Sequence, residues 1–222
     1  YNKDNYLLED RDRFILSKGH ACMVYYSVLN CIGIIDDQKF STFGKDSTDL
    51  PGHPVKNPKL GIDFSTGSLG MGLGIGIGVA IALKKKKLNN NVYVLMGDGE
   101  CNEGSVWEAA LAAPNLKLDN LTVIIDHNNF QQTGSNNKIM DLGSLANKWS
   151  SFKWSTFEVD GHDEIELEKV LSIKENHKPK AIIANTIKGK GFSFSENNND
   201  WHHKVMTKKN YDEALNELIK YD

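Results

Sequence analysis

The chain has 222 residues, of which 40% are hydrophobic and 25% charged, with a formal net charge of −3, as is typical of one large or two small globular domains. This mild acidity predicts no nucleic-acid or membrane partner, because both would need a basic face. The three scattered cysteines (Cys22, Cys31 and Cys101) suit neither a disulfide framework nor a metal pair, so we expect reduced thiols and a cytoplasmic protein.

Apolar runs and turn residues predict strands and helices that alternate along the chain. In the first half we expect a strand at 14–17, helices at 21–31 and 36–43, a loop at 46–58, a buried helix at 67–83 and a buried strand at 92–96. In the second half we expect a helix at 103–113 stopped by Pro114, strands at 121–125, 155–159 and 181–186, helices at 142–149, 165–175 and 212–219, and loops at 128–137 and 188–199. The alternation predicts parallel βαβ units.

Segment 67–83 carries no charge, yet its 17 residues fall short of a membrane span. Each of its six glycines would weaken a free helix by about 1 kcal/mol relative to alanine. We therefore predict a helix packed closely inside the protein.

Polar residues follow two of the predicted buried strands. Gly97, Asp98 and Gly99 come after the strand at 92–96, and Asn128 follows the strand at 121–125. If these strands are parallel neighbours, a carboxylate and an amide oxygen meet at one edge of the sheet, where such folds bind ligands. Asp98, Asn128 and a backbone carbonyl near Phe130 could hold Mg²⁺, and the helix start after Gly99 could receive a diphosphate. The alternative is an ordinary pair of turns.

Further motifs lie at 12–20, 51–54, 65–70, 97–100, 103–104, 107–110, 117–121, 160–163, 186–191 and 197–202. In these stretches, which cover nearly the whole chain in the family's order, the chain resembles the transketolase family, and within it the N-terminal, diphosphate-binding subunit of a split transketolase.

This resemblance implies a fold, a cofactor and a set of site residues. The fold is a three-layer α/β/α domain with a central parallel sheet, formed by residues 1–222 as one diphosphate-binding domain that lacks its N-terminal segment. The cofactors are thiamine diphosphate and Mg²⁺ (or Ca²⁺). The implied cofactor-binding residues are Gly67, Leu69, Gly97, Asp98, Gly99, Glu100 and Asn128; the metal ligands are Asp98, Asn128 and the Phe130 carbonyl; the catalytic residues are His20, His53 and His202; and Glu103 lies at a contact between two active-site units.

The implied activity is transfer of a two-carbon ketol unit from a ketose phosphate to an aldose phosphate. It would require a pyrimidine-binding (C-terminal) partner subunit in a dimer of heterodimers, with small sugars as substrates. Met71 and Gln132 depart from the family pattern, which leaves open a different ketol donor or acceptor, glycan or carrier-bound. A non-catalytic scaffold subunit is a further alternative. A nicotinamide-binding domain is excluded, because no G-x-G-x-x-G follows the first strand.

Overall fold

A computed structural model of the protein describes residues 2–218. In chain order the first elements are β1 (Arg13–Leu16), α1 (Cys22–Cys31), α2 (Asp37–Phe40), α3 (Gly72–Lys85), β2 (Val92–Gly97), α4 (Gly104–Asn115) and β3 (Leu121–His127). They are followed by β4 (Phe130–Gln131), β5 (Gly134–Ser135), α5 (Asn136–Ile139), α6 (Leu145–Ser151), β6 (Ser155–Asp160), α7 (Glu164–Ser172), β7 (Lys180–Asn185) and α8 (Lys208–Leu218). Short 3₁₀ helices lie at Gly19–Ala21, Pro58–Leu60, Gly99–Asn102 and Asn199–His202.

Five parallel strands form the central sheet in the order β1-β2-β3-β7-β6. Their alternate side chains point to opposite faces, so each strand contributes to two apolar layers. One face packs under α3, α4 and α6, and the other under α1 and α7. The predicted three-layer α/β/α fold with a parallel sheet is thereby confirmed.

The predicted pairing of β2 with β3 is confirmed, with Gly97 opposite Asp126. The backbone N–H of Asp98 also donates to the Asp126 carbonyl at 3.1 Å. The carboxyl ends of the two strands therefore lie side by side, which brings together the polar residues that follow each strand.

The glycine-rich helix differs from its prediction at both its start and its burial. Residues 67–71 form a loop, because the N–H of Gly70 is held by the Glu100 carboxylate at 2.9 Å instead of entering a helix. Close packing exists on the inner face, where a Cβ on Gly76 would lie 2.6 Å from Val94. The outer face is exposed at Gly74, Gly78 and Ala82. The predicted close packing inside the protein is therefore present on one face of α3, while its other face is exposed.

Pro114 does not stop α4 as predicted but lies inside its last turn. Proline cannot donate to the carbonyl four residues earlier, which here is that of Ala110. The indole N–H of Trp154 donates to this carbonyl instead, at 2.8 Å. A donor distant in sequence thus lets the helix continue to Asn115.

Several other predicted boundaries shift by a few residues, as expected where helix ends depend on capping. The helix expected at 165–175 ends at Ser172, and the one expected at 142–149 begins at Leu145. The segment 128–137 is not wholly irregular, since it contains the short hairpin of β4 and β5. The last predicted helix is present, but its final residue, 219, lies outside the described residues. No helix in residues 2–218 is long and apolar enough to cross a membrane.

Candidate cofactor-binding site

A cavity of about 360 Å³ opens at the carboxyl ends of β2 and β3. Most of the residues predicted for the site lie on its wall. They are His20, Leu69, Gly97, Asp98, Gly99, Glu100, Glu103, Asn128, Phe130 and His202. Segments far apart in sequence therefore converge on one cavity at the sheet edge where parallel α/β folds bind ligands.

The two remaining predicted residues, His53 and Gly67, lie beside this cavity. The His53 ring meets the ring of His20 edge-on, with centroids 4.9 Å apart. Gly67 has a φ of +140° and lies directly against His53, so that a Cβ there would be 2.8 Å from the imidazole. Its other side touches Gly19, where an added Cβ would lie 2.7 Å from the Gly67 nitrogen. Gly19 is required because the backbone of Gly67 leaves no room for a side chain, and Gly67 because of its positive φ and the adjacent His53 ring.

Asp98 directly follows β2 and is only 1% exposed. It accepts hydrogen bonds from the backbone N–H groups of Gly99 at 2.7 Å and Asn129 at 2.6 Å. Burial raises the pKa of this carboxyl, and the two backbone donors and the side chain of Asn136 oppose the rise. No lysine or arginine of residues 2–218 forms an ion pair with it. A buried carboxylate without a cationic partner is suited to bind a metal ion.

Asn128 is held by a network centred on Asp126. Its side-chain amide donates to the Asp126 carboxylate at 3.2 Å, and its amide oxygen accepts from the N–H of Phe130 at 3.0 Å. The same carboxylate accepts from the ammonium of Lys18 and the hydroxyl of Thr186. Burial alone would raise the pKa of Asp126, but these donors together hold it below its ordinary value. The network joins the ends of β1, β3 and β7.

Glu100 was predicted to bind the cofactor, and its carboxylate, 2% exposed, is engaged inside the protein. One oxygen accepts from the Ser17 hydroxyl and the Gly70 N–H, and the other from the Gly97 N–H at 3.1 Å. Burial raises the pKa of this carboxyl. The contacts show how Glu100 fastens three segments of the cavity wall, while its contact with a cofactor stays a prediction.

Two imidazoles of the cavity, those of His20 and His202, lie in an environment that favours their neutral form. Burial and, after it, the positive charge of Lys188 lower the pKa of His202 to about 4. The Lys188 ammonium lies 3.1 Å from Nδ1 of His202, so this nitrogen accepts and the proton of the neutral ring resides on Nε2. Burial also lowers the pKa of His20, and His53 adds to the effect. Neutral imidazoles can both donate and accept a proton.

The donor set fits a hard cation better than a soft one. Residues 2–218 contain no cluster of three or more His, Cys, Asp or Glu side chains placed for a metal. A cation here must draw on Asp98 together with amide and carbonyl oxygens, which are the ligands of Mg²⁺ or Ca²⁺. Asn136 lies beside Asp98 with an amide oxygen that is buried and without a hydrogen-bond partner among the described residues. Such an orphaned acceptor fits a cavity that receives a hydrated cation.

Several residues of the cavity were not assigned a role from the sequence. Lys18 and Lys188 place two ammonium groups at its wall, and Asp126 holds Lys18 and Asn128. The rule that identified Asp98, a polar residue at the carboxyl end of a buried strand, also applies to Asp126. Nothing in the sequence alone indicates that Lys18 reaches across β2 to Asp126.

Comparison with known proteins identifies the family to which the chain is similar. Residues 1–218 match the family model described as "Transketolase, thiamine diphosphate binding domain". An apulose-4-phosphate transketolase subunit of Phocaeicola vulgatus is 43% identical over 212 residues, which are 94% of this chain and 74% of that protein. The 6-deoxy-6-sulfo-D-fructose transketolase subunit SqwG of a Clostridium species is 38% identical, over 95% of this chain and 78% of that one.

Longer transketolases match over a smaller share of their length. Human transketolase is 40% identical over 93% of this chain, but the match spans 33% of the human protein. The crystal structure of transketolase from Campylobacter jejuni superimposes with a TM-score of 0.88 at 29% identity, over 98% of this chain and 35% of that one. The fold, the family model and the match to separate transketolase subunits over most of their length agree: the chain belongs to the transketolase family of transferases, as its thiamine diphosphate binding domain.

Proposed function

We propose that this chain is the diphosphate-binding half of a split transketolase, which transfers a two-carbon ketol unit from a ketose phosphate to an aldose phosphate. The observation that carries the proposal is the cavity itself. It joins a buried carboxylate without a cationic partner (Asp98) to an oriented amide (Asn128), two lysines, and two histidines whose pKa values burial lowers.

The residues of the cavity divide by chemistry. Asp98, Asn128 and the Phe130 carbonyl would hold Mg²⁺, while Lys18 and Lys188 supply positive charge for a diphosphate. Thiamine diphosphate, when bound, supplies the nucleophilic carbon and the electron sink for cleavage of a carbon–carbon bond. The neutral rings of His20 and His202 can donate to a sugar oxygen and carry its proton.

A partner subunit is part of the proposal. The relatives that match over most of their length are themselves named as subunits of transketolases, which implies that those enzymes have a second subunit. Glu103 is exposed at the rim of the cavity, where a neighbouring active-site unit could reach it. We propose a pyrimidine-binding subunit in a dimer of heterodimers, located in the cytoplasm, where the three unpaired thiols would stay reduced.

We propose that residues 1–222 form one domain and that an N-terminal segment also belongs to this domain. An apolar cavity of about 430 Å³ between α1 and the sheet supports such an addition. Its lining includes Phe14, Leu16, Val24 and Val28, and Val24 is 66% exposed. An apolar surface of this kind is stabilised when further chain covers it.

The second candidate function is transfer of a ketol unit from a different donor or to a different acceptor. Its support is that two of the similar subunits are named for apulose-4-phosphate and the similar SqwG subunit for 6-deoxy-6-sulfo-D-fructose. A screen of ketose donors and aldose acceptors with the reconstituted complex would distinguish these substrates from pentose phosphates. A non-catalytic scaffold is disfavoured by the intact Asp98 and Asn128.

The test is to purify the tagged chain with its co-purifying partner, and to measure thiamine diphosphate binding and ketol transfer with and without Mg²⁺. We expect Asp98→Asn to abolish both, and Asp49→Asn, an exposed carboxylate outside the cavity, to leave both unchanged. Unchanged binding and turnover in Asp98→Asn would contradict the assignment of the metal site. A wild-type complex that binds no cofactor would contradict the proposed function.

A further inference from the structure

Asp126 lies at the centre of a hydrogen-bond network that joins the ends of three strands. Its side chain is 24% exposed and lies near the end of β3, two residues before Asn128. Both carboxylate oxygens are used: one accepts from Thr186, and the other from Lys18 and Asn128. These donors come from segments that follow three different strands, so one carboxylate holds the ends of β1, β3 and β7 together.

The chemistry of the contact with Asn128 fixes which end of that amide faces which way. A carboxylate accepts hydrogen bonds and cannot donate them, so only the NH₂ end of Asn128 can face Asp126. The oxygen end then accepts from the Phe130 N–H at 3.0 Å and keeps a second lone pair. A flipped amide would bring two oxygens together at Asp126 and two N–H groups together at Phe130.

We propose that Asp126 is a positioning residue: it orients the Asn128 amide so that an oxygen is offered to the cation, and it anchors the ammonium of Lys18 at the cavity wall. This inference rests on the proposed function, because it assigns Asn128 as a metal ligand. Asp126 itself touches neither cation nor cofactor in this proposal. Partners of this kind, one step removed from a metal, typically change metal affinity by about 10–100-fold when they are substituted.

The chain offers a matched control for the loss of a carboxylate. Asp119 is also 24% exposed and also forms an ion pair with a lysine, Lys84. It precedes β3, at the opposite end of the strand from the cavity. Asp119→Asn therefore removes a comparable ion pair without reaching the site, and separates a general loss of stability from a loss of positioning.

A swap variant tests the orientation directly. In Asp126→Asn the new amide can present either end to Asn128, so the orientation of Asn128 is no longer imposed. In the double variant Asp126→Asn with Asn128→Asp, position 128 carries an oxygen at both ends and needs no orientation. The swap also preserves the total charge and leaves a carboxylate close to Lys18.

The experiment measures thiamine diphosphate binding by calorimetry as Mg²⁺ is varied, on the full chain with its partner subunit, and records the thermal midpoint of each variant. We expect Asp126→Asn to raise the Mg²⁺ concentration for half-saturation by about tenfold or more. Asp119→Asn should leave it unchanged, and the swap should recover most of the loss. Equal Mg²⁺ dependence of wild type and Asp126→Asn, or a swap no better than Asp126→Asn, would overturn the positioning role alone. Absence of binding by wild type would overturn the proposed function and this inference together.

Discussion

Glu100 offers the sharpest test of how the cavity is held together. Three donors converge on its buried carboxylate: the Ser17 hydroxyl, the Gly70 N–H at 2.9 Å and the Gly97 N–H at 3.1 Å. Glu100→Gln keeps the shape of the side chain but turns one accepting oxygen into an NH₂ group. The least costly arrangement places that NH₂ opposite Gly97 and leaves one backbone N–H unpaired.

The size of the effect follows from these contacts. An unpaired buried N–H costs about 1–3 kcal/mol, and the two surviving bonds weaken by about 1 kcal/mol each without the charge. Relief from burying a charged group offsets part of this, so we expect a net loss of about 2 kcal/mol in the free energy of unfolding. Glu100→Ala should lose about 4 kcal/mol, because all three donors are then unpaired. Glu108→Gln, on the exposed side of α4, is the matched control.

The dependence on pH gives an independent check. Burial raises the pKa of Glu100 above its ordinary value of 4.5, so the folded protein binds this proton more tightly than the unfolded chain does. The contribution of this group to the free energy of unfolding should therefore fall as pH rises above 4.5, and the gap between wild type and Glu100→Gln should narrow. Burial also raises the pKa of Asp98. The part of the pH dependence of the free energy of unfolding that comes from Asp98 should therefore remain in Glu100→Gln.

The assay is urea unfolding followed by tryptophan fluorescence, from pH 4.5 to 7.5, for wild type and the three variants. If the free energy of unfolding of Glu100→Gln lies within about 0.5 kcal/mol of the wild-type value at every pH, the three hydrogen bonds do not stabilise the cavity wall. A gap that widens with rising pH would show that the pKa of Glu100 lies below its ordinary value.

Three further predictions concern groups with well-defined contacts. Lys180→Met should lower the free energy of unfolding in urea by about 2 kcal/mol, because the buried ammonium donates to two carbonyls in the last turn of α7 and to the carbonyl of Ile173, just after the helix. Lys178→Met, at an exposed position, should have no effect. His202 should stay neutral from pH 5 to 8 in an NMR titration, and Lys188→Met should raise its pKa from about 4 toward the ordinary value; an unchanged pKa would exclude the contact. Trp154→Phe should cost about 1 kcal/mol by thermal unfolding, since a helical carbonyl loses its donor, and an unchanged midpoint would exclude this bond.

Patterns local in sequence predicted the sheet and the position of Asp98 and Asn128 at its edge. The apolar runs before Asp98 and Asn128 identified two buried strands, and the chain between them could connect parallel neighbours. The carboxyl ends of such strands share one edge, so the convergence of these two residues required no knowledge of side-chain contacts. The match to family motifs added the histidines and Leu69.

Contacts between distant residues account for what the sequence did not predict. The start of α3 depends on Glu100, which takes the N–H of Gly70 from 30 positions away. The continuation of α4 through Pro114 depends on Trp154. Lys18 meets Asp126 only because β1 and β3 flank the same strand. None of these contacts has a periodicity or spacing that could be recognised before the chain is folded.

The stacked glycines beside the cavity have a mechanical consequence. Gly19 touches Gly67, and Gly67 touches the ring of His53, with no space between them for even a methyl group. The loop that carries His20 therefore cannot shift toward the 66–67 loop without displacing it and His53 as well. A shift of the His20 loop in that direction should therefore displace both histidines together, so backbone amides near both should exchange between conformations at one common rate in relaxation-dispersion NMR. The two imidazoles would then change position in a single step.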